Sequence, residues 1–168
     1  MMSFFASLLT FFMVGCSKPT NPITWTECAP EIGSHPCNII LNDQHGKPFN
    51  LYEQYGRPIL IDFSAEWCYW CQVASRDIHK FKDEFNFIYV TILLEDRNGR
   101  PGGQGLARRW AETYGDDEPI LTGYNPTPNW SINGLPSFYM IDDEMKIASR
   151  LEGWSLIGVS QMIMETQN

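Results

Sequence analysis

The sequence predicts a single α/β domain: a mixed central sheet with helices on both faces, entered through an N-terminal β-hairpin. Three observations carry this. Short apolar runs rich in β-branched residues alternate with stretches of helical periodicity. Their order is hairpin, strand, helix, strand, helix, strand, strand, helix, which fits a layered α/β architecture. At 168 residues and 43% hydrophobic, the chain is long and apolar enough for one core.

Residues 1–15 stand apart from the rest. Phe4 to Val14 is almost wholly apolar, and Lys18 is the first basic residue. The run is shorter than the roughly 20 residues of a membrane span but suits the core of a signal peptide. It ends in Met13-Val14-Gly15-Cys16, a pattern similar to the bacterial lipoprotein processing site. Cys16 is then the lipidated first residue of the mature chain, which places the protein outside the cytoplasm, on the periplasmic or cell-surface side. An ordinary cleaved signal and a short buried N-terminal helix are the alternatives. Residues 16–36, rich in Pro, Thr, Asn and Ser, read as a tether and N-terminal extension. The domain proper then covers 37–168.

Within the domain, residues 38–41 and 48–51 flank the turn Asp43-Gln44-His45-Gly46-Lys47 and form the hairpin. Ile59-Leu60-Ile61-Asp62-Phe63-Ser64 is a buried strand. Residues 69–85 turn helical, with Val73, Ile78, Phe81 and Phe85 on one stripe. Residues 87–94 form a second buried strand, parallel to the first through a right-handed crossover. Leu106, Trp110 and Tyr114 mark a short helix. Residues 115–134 carry no assignable pattern. Residues 137–141 and 147–151 are strands around the turn Asp142-Asp143-Glu144, which reads as a turn rather than a metal site. Ser155 caps a last helix reaching to Glu165.

Charge excludes some functions. Twelve basic against 20 acidic residues give a net charge of −8. Nucleic-acid binding needs a basic face, so no nucleic-acid partner is expected.

The five cysteines are Cys16, Cys28, Cys37, Cys68 and Cys71. With Cys16 lipidated, four remain, an even number suited to an oxidising compartment. Of three possible pairings, sequence proximity favours Cys68 with Cys71 and Cys28 with Cys37. The pair Cys68-Tyr69-Trp70-Cys71 lies at a strand-to-helix junction. There the first cysteine faces the unsatisfied N–H groups of a helix start, which favour the nucleophilic thiolate. The second, one turn on, can reach back and close a small disulfide. The rival readings are a structural bridge and a zinc or copper site completed by Cys28, His35 or Cys37. The strand before the pair and the helix after it favour redox chemistry, which requires no bound cofactor and no metal.

The stretch from Ile59 through Glu66-Trp67 to Cys68-x-x-Cys71 resembles the active-site strand and turn of the thioredoxin superfamily. Gly134-Leu135-Pro136-Ser137 resembles its second signature, and Gly153-Trp154 the glycine after its last strand. The residues from Asn38 to Lys47 are similar to the hairpin of the exported, TlpA-like branch. The resemblance covers about residues 38–168. Tyr69-Trp70 in place of a proline-containing dipeptide, Ser64 in place of an aromatic residue, and the long segment 98–133 depart from the family pattern.

The resemblance implies a thiol–disulfide oxidoreductase acting on protein thiols or disulfides. Cys68 attacks and Cys71 resolves. Asp62, buried in its strand, assists proton transfer at Cys71. Pro136, in cis, faces the disulfide, while Trp67, Tyr69, Trp70 and Leu135 form the substrate surface. The reductant direction needs a membrane electron-transfer partner to restore the dithiol. A disulfide oxidant or isomerase of the same fold, a metal-binding lipoprotein and a non-catalytic binding module are the other readings.

Overall fold

The computed structural model describes residues 23–82, 84–115, 117–126 and 129–167. The signal-like run 1–15 and Cys16 lie outside them. Strands β1 (Ile40–Asn42) and β2 (Pro48–Asn50) form the hairpin, antiparallel, with Ile40 opposite Asn50. Its turn is held by Asp43, whose Oδ1 accepts from the backbone N–H of His45 and Lys47 at 2.9 and 2.8 Å. A 3-10 turn, Leu51–Gln54, follows.

The central sheet has five strands in the order β5-β4-β3-β6-β7. These are β3 (Ile59–Ala65), β4 (Ile88–Glu95), β5 (Ile120–Thr122), β6 (Ser137–Ile141) and β7 (Ile147–Glu152). β3 is buried at every position, as its near-continuous apolar run requires. It runs parallel to β4 and antiparallel to β6. The helices are α1 (Tyr69–Lys82), α2 (Gln104–Tyr114) and α3 (Leu156–Glu165). Ser155 caps α3, its Oγ accepting from Gly158 N–H at 3.1 Å.

Alternation along the strands sorts the two faces. Ile59, Ile61 and Phe63 share a cluster with Val90, Ile92, Leu121 and Tyr139, covered by Phe49, Leu51 and Trp130. Leu60, Tyr89, Phe138 and Met140 face the other way, onto Ala74 and Ile78 of α1 and Val159 and Ile163 of α3. Leu93, on the Tyr89 side of β4, packs with Leu106, Ala107 and Trp110 of α2.

Helices cover both faces of the sheet, but unequally. Among the described residues all three α-helices lie on one face. The opposite face carries the 3-10 helix, the hairpin, the segment around Trp25 and the irregular residues 123–126 and 129–136. Segment 123–136 holds Pro126, Pro128 and Pro136, which preclude a continuous helix. It is fixed by side chains instead. Trp130 packs edge-on to Tyr139 with ring centroids 4.9 Å apart, and Tyr139 Oη donates to the Ser131 carbonyl at 2.9 Å.

Two further differences follow from short-range chemistry. The unassigned segment 115–134 contains β5, three residues that extend the sheet parallel to β4. Its Ile120 N–H donates to Gln44 Oε1 at 2.9 Å, while Gln44 Nε2 donates to the Glu118 carbonyl at 2.9 Å. A side-chain amide from the hairpin turn thus stands in for a neighbouring strand. The described part of the tether, 23–36, is packed against the domain. Gly33 N–H donates to the Ile147 carbonyl at 2.8 Å and Ile147 N–H to the Ser34 carbonyl at 2.9 Å. Trp25 stacks on His35 at 4.4 Å and meets Tyr52 edge-on at 4.8 Å.

Candidate active site

β3 ends at Ala65, and Glu66 and Trp67 carry the chain across to α1, leaving Cys68 just before the helix and Cys71 in its first turn. Their sulfurs are joined, with Cα atoms 5.3 Å apart. Cys68 keeps 5% of its surface exposed, whereas Cys71 is wholly buried. The Cys71 N–H points at Cys68 Sγ at 3.2 Å. No acidic residue occupies the first turn of α1, so nothing there opposes negative charge on Cys68.

Around the pair stand three exposed aromatic residues. Tyr69 and Trp70 are 63% and 56% exposed and meet edge-on with centroids 5.1 Å apart. Trp67 is half exposed, and its indole N–H donates to Glu95 Oε2 at 2.7 Å. Beside it, Glu66 is gripped by Arg97 and Arg109: the Arg97 backbone N–H and guanidinium reach it at 3.0 and 3.2 Å, and the Arg109 guanidinium at 3.5 Å. Burial pushes the Glu66 carboxyl up, but these partners outweigh it and hold it below the usual range.

The Leu135–Pro136 peptide is cis. Leu135 packs against the cluster containing Cys68 and Cys71, and the Pro136 carbonyl accepts from Gly153 N–H at 2.8 Å. The signature residues 134–136 and Gly153 are thus brought to the same end of the sheet as the disulfide.

Asp62 lies on the helix-covered side of β3, the side on which α1 buries Cys71, Ala74, Ser75 and Ile78. It is wholly buried. Ser64 Oγ donates to its Oδ1 at 2.6 Å and Tyr89 Oη to its Oδ2 at 2.8 Å. Desolvation outweighs both hydrogen bonds and pushes the carboxyl up to about 7. An acid so placed changes charge near neutral pH and can accept or return a proton there.

Cys28 and Cys37 form the second disulfide, with Cα atoms 4.8 Å apart. His35 Nδ1 lies 2.7 Å from the Met145 carbonyl, and among the described residues no group of three His, Cys, Asp or Glu is arranged to hold a metal ion. Sequence reasoning overlooked Tyr89 and the Glu66–arginine cluster. The signal for Tyr89 was available: a lone phenol in the aliphatic run of β4, on the strand beside Asp62.

Comparison with solved structures decides the fold. The exposed lipoprotein thioredoxin Etrx1 of Streptococcus pneumoniae superposes with a TM-score of 0.64, at 19% identity, over 77% of this chain and 99% of that one. The thio-disulfide isomerase of Thermus thermophilus gives 0.63, at 18% identity, over 82% and 99%. The chain has the thioredoxin-like fold. Among curated sequences, thiol–disulfide oxidoreductase ResA of Halalkalibacterium halodurans is 24% identical over 135 residues, 79% of this chain and 73% of the relative. No family model matches the chain. Relatives of this one activity, together with the Cys68–Cys71 disulfide at the head of α1, make this thioredoxin-like domain a thiol–disulfide oxidoreductase.

Proposed function

We propose that the protein reduces disulfides of other proteins outside the cytoplasm, with Cys68 as nucleophile, Cys71 as resolving thiol and Asp62 as proton acceptor. The observation that carries this reading is the asymmetry of the pair: Cys68 reaches the surface at the start of α1, and Cys71 is sealed on the Asp62 side of β3. The Cys68 thiolate attacks one sulfur of the substrate disulfide and expels the other as a thiolate. Cys71 gives its proton to Asp62 and attacks Cys68 Sγ, releasing the second substrate sulfur as a thiolate and closing the Cys68–Cys71 disulfide. Two electrons pass from the protein to the substrate, so a dithiol-donating partner at the membrane must restore the reduced form.

Tyr69, Trp70, Trp67 and Leu135 supply the apolar rim on which a protein substrate rests. The run ending at Gly15-Cys16 supports export and lipid anchoring at Cys16, and the exposed lipoprotein from S. pneumoniae has the same fold. Cys16→Ser should move the protein from the membrane to the soluble fraction.

The deciding experiment is trapping. Cys71→Ala should accumulate mixed disulfides through Cys68 with protein partners, and Cys68→Ala should accumulate none. The wild type should catalyse insulin reduction by dithiothreitol. No catalysis and no adducts in the Cys71 variant would overturn the proposal.

A further inference from the structure

A carboxyl that takes up the Cys71 proton and has no exposed surface holds it until the disulfide is reduced again, unless a route to solvent exists. The Asp62 environment contains one. Its Oδ2 is bonded at 2.8 Å to Tyr89 Oη. Behind Tyr89, between α1, α2, β4 and β5, is a narrow cavity lined by Ser75, Thr91, His79, Trp110, Tyr114 and Glu118. A water's centre has about 10 Å³ to occupy there, room for one molecule. Ser75 Oγ lines this cavity, is fully buried and faces the Tyr89 oxygen without closing a hydrogen bond of good geometry. A buried hydroxyl left so is costly, and a polar cavity of this size offers it a water.

The cavity's outer wall is His79. Its ring meets Tyr89 edge-on at 5.9 Å, is half-buried, and bonds the backbone of Tyr114. It is also pressed against Gly115, where an added Cβ would come within 3.2 Å of the ring. Burial, then the Lys82 charge, holds His79 below the ordinary imidazole value despite Asp117, so near pH 7 it is a neutral acceptor. Burial and the Asp62 charge hold Tyr89 far above the ordinary phenol, so it stays protonated and can only pass a proton on.

We infer that Tyr89 and the water-sized cavity between Ser75 and His79 form a proton relay that connects Asp62 to solvent on the side of α1 away from the disulfide. This rests on Asp62 being the acceptor of the Cys71 proton. When Asp62 is ionised, the phenol donates to it. Once Asp62 has taken the thiol proton, the carboxylic acid donates to Tyr89 Oη, and the phenol turns to donate to the cavity water. Transfer along this chain moves the Asp62 proton onto Tyr89, the phenol's own proton onto the water, and a water proton onto His79 or the solvent. One proton leaves, the phenol is never ionised, and Asp62 is again the charged acceptor. Ser75 and Thr91, which face the Tyr89 oxygen, hold the water and the phenol in line. Tyr89 and Ser75 are thus positioning residues, since neither touches the reacting sulfurs.

The test is single-turnover reduction of insulin followed by tryptophan fluorescence, with the Asp62 carboxyl titration read by carbon NMR. Tyr89→Phe and Ser75→Val should each add to release of the mixed disulfide at pH 7 a phase about tenfold slower, from the molecules whose Asp62 starts protonated, and leave Cys68 alkylation at the wild-type rate. Tyr89→Phe, which removes a donor to the carboxylate, should also raise the Asp62 midpoint. Ser75→Val, which fills the cavity without touching Asp62, should leave that midpoint in place. Ser75→Ala, the milder change, should slow release in the same direction. Wild-type release in both Ser75 variants would overturn the relay, even if Tyr89→Phe is slow, because Tyr89 would then only tune Asp62. Wild-type release in Asp62→Asn would instead remove the acceptor assignment on which the relay stands.

Discussion

The backbone N–H of Cys71 donates to Cys68 Sγ at 3.2 Å, so the resolving residue serves the nucleophile twice, through its sulfur and through its amide. The same N–H remains at the head of α1 when the disulfide is reduced, where it and the helix dipole favour negative charge on Cys68. Cys71, buried without exposure, has no such access. Limited alkylation of the reduced protein should label Cys68 first, and Cys68 should still react at acidic pH where ordinary thiols are inert. Mass mapping of the alkylated peptides checks this, and preferential labelling of Cys71 would reverse the two roles.

Tyr69 and Trp70 lie on α1 with more than half their surface in solvent, which is more than folding alone would leave for two large aromatic rings. Replacing both with Ala should change stability by no more than about 0.5 kcal/mol, as for other exposed positions. It should raise the KM for a protein disulfide several-fold and leave reduction of a small disulfide such as oxidised glutathione unchanged. Equal losses on both substrates would mean the rings act on the redox pair and not on the partner.

Much of this site is legible in the sequence. The spacing of Cys68 and Cys71, their place after an apolar strand and the run Gly134-Leu135-Pro136 each express local chemistry, and local chemistry is written in neighbouring residues. Asp62 was legible as buried because both its sequence neighbours are apolar. What holds Asp62 was not. Ser64 is two residues away, but Tyr89 is 27 residues away and joins it only because β4 lies beside β3. β5 escaped for a related reason. Three residues are too few to show a period, and what fixes its Ile120 N–H is Gln44, 76 residues upstream. The crowding of the α-helices on one face was hidden because segment 123–136 is held by Trp130 and Tyr139, and aromatic contacts between distant residues leave no pattern in the chain.

The Cys28–Cys37 disulfide closes a short loop and fastens the segment carrying Trp25 and His35 to the face beneath the 3-10 turn. Its removal by Cys28→Ser with Cys37→Ser should cost up to about 3 kcal/mol, the value for a loop of this size, and less where packing of Trp25 persists. Denaturant melts of the double variant measure the loss, and protease should then cut first within residues 23–36. A variant as stable and as protected as the wild type would show that packing alone holds the segment.

Asp62 sets the direction in which pH moves stability. In the unfolded chain its carboxyl titrates at ~3.9. In the folded protein burial carries it up to about 7. The folded state therefore holds a proton that the unfolded state has already lost throughout the interval between those values. Asp62's contribution is most favourable below about pH 4, declines as pH rises to about 7, and stays at its least favourable above that. A shift of this size corresponds to a penalty of about 4 kcal/mol at high pH. Asp62→Asn removes the ionisation but keeps a buried polar side chain that two hydroxyls must still satisfy. The variant should accordingly be more stable than the wild type by about 1–3 kcal/mol at pH 8, with the difference shrinking towards pH 4. Urea melts of both proteins across pH 4–8 measure this. A stability difference that does not change with pH would mean Asp62 is not protonated by burial, and the acceptor role near neutral pH would fall with it.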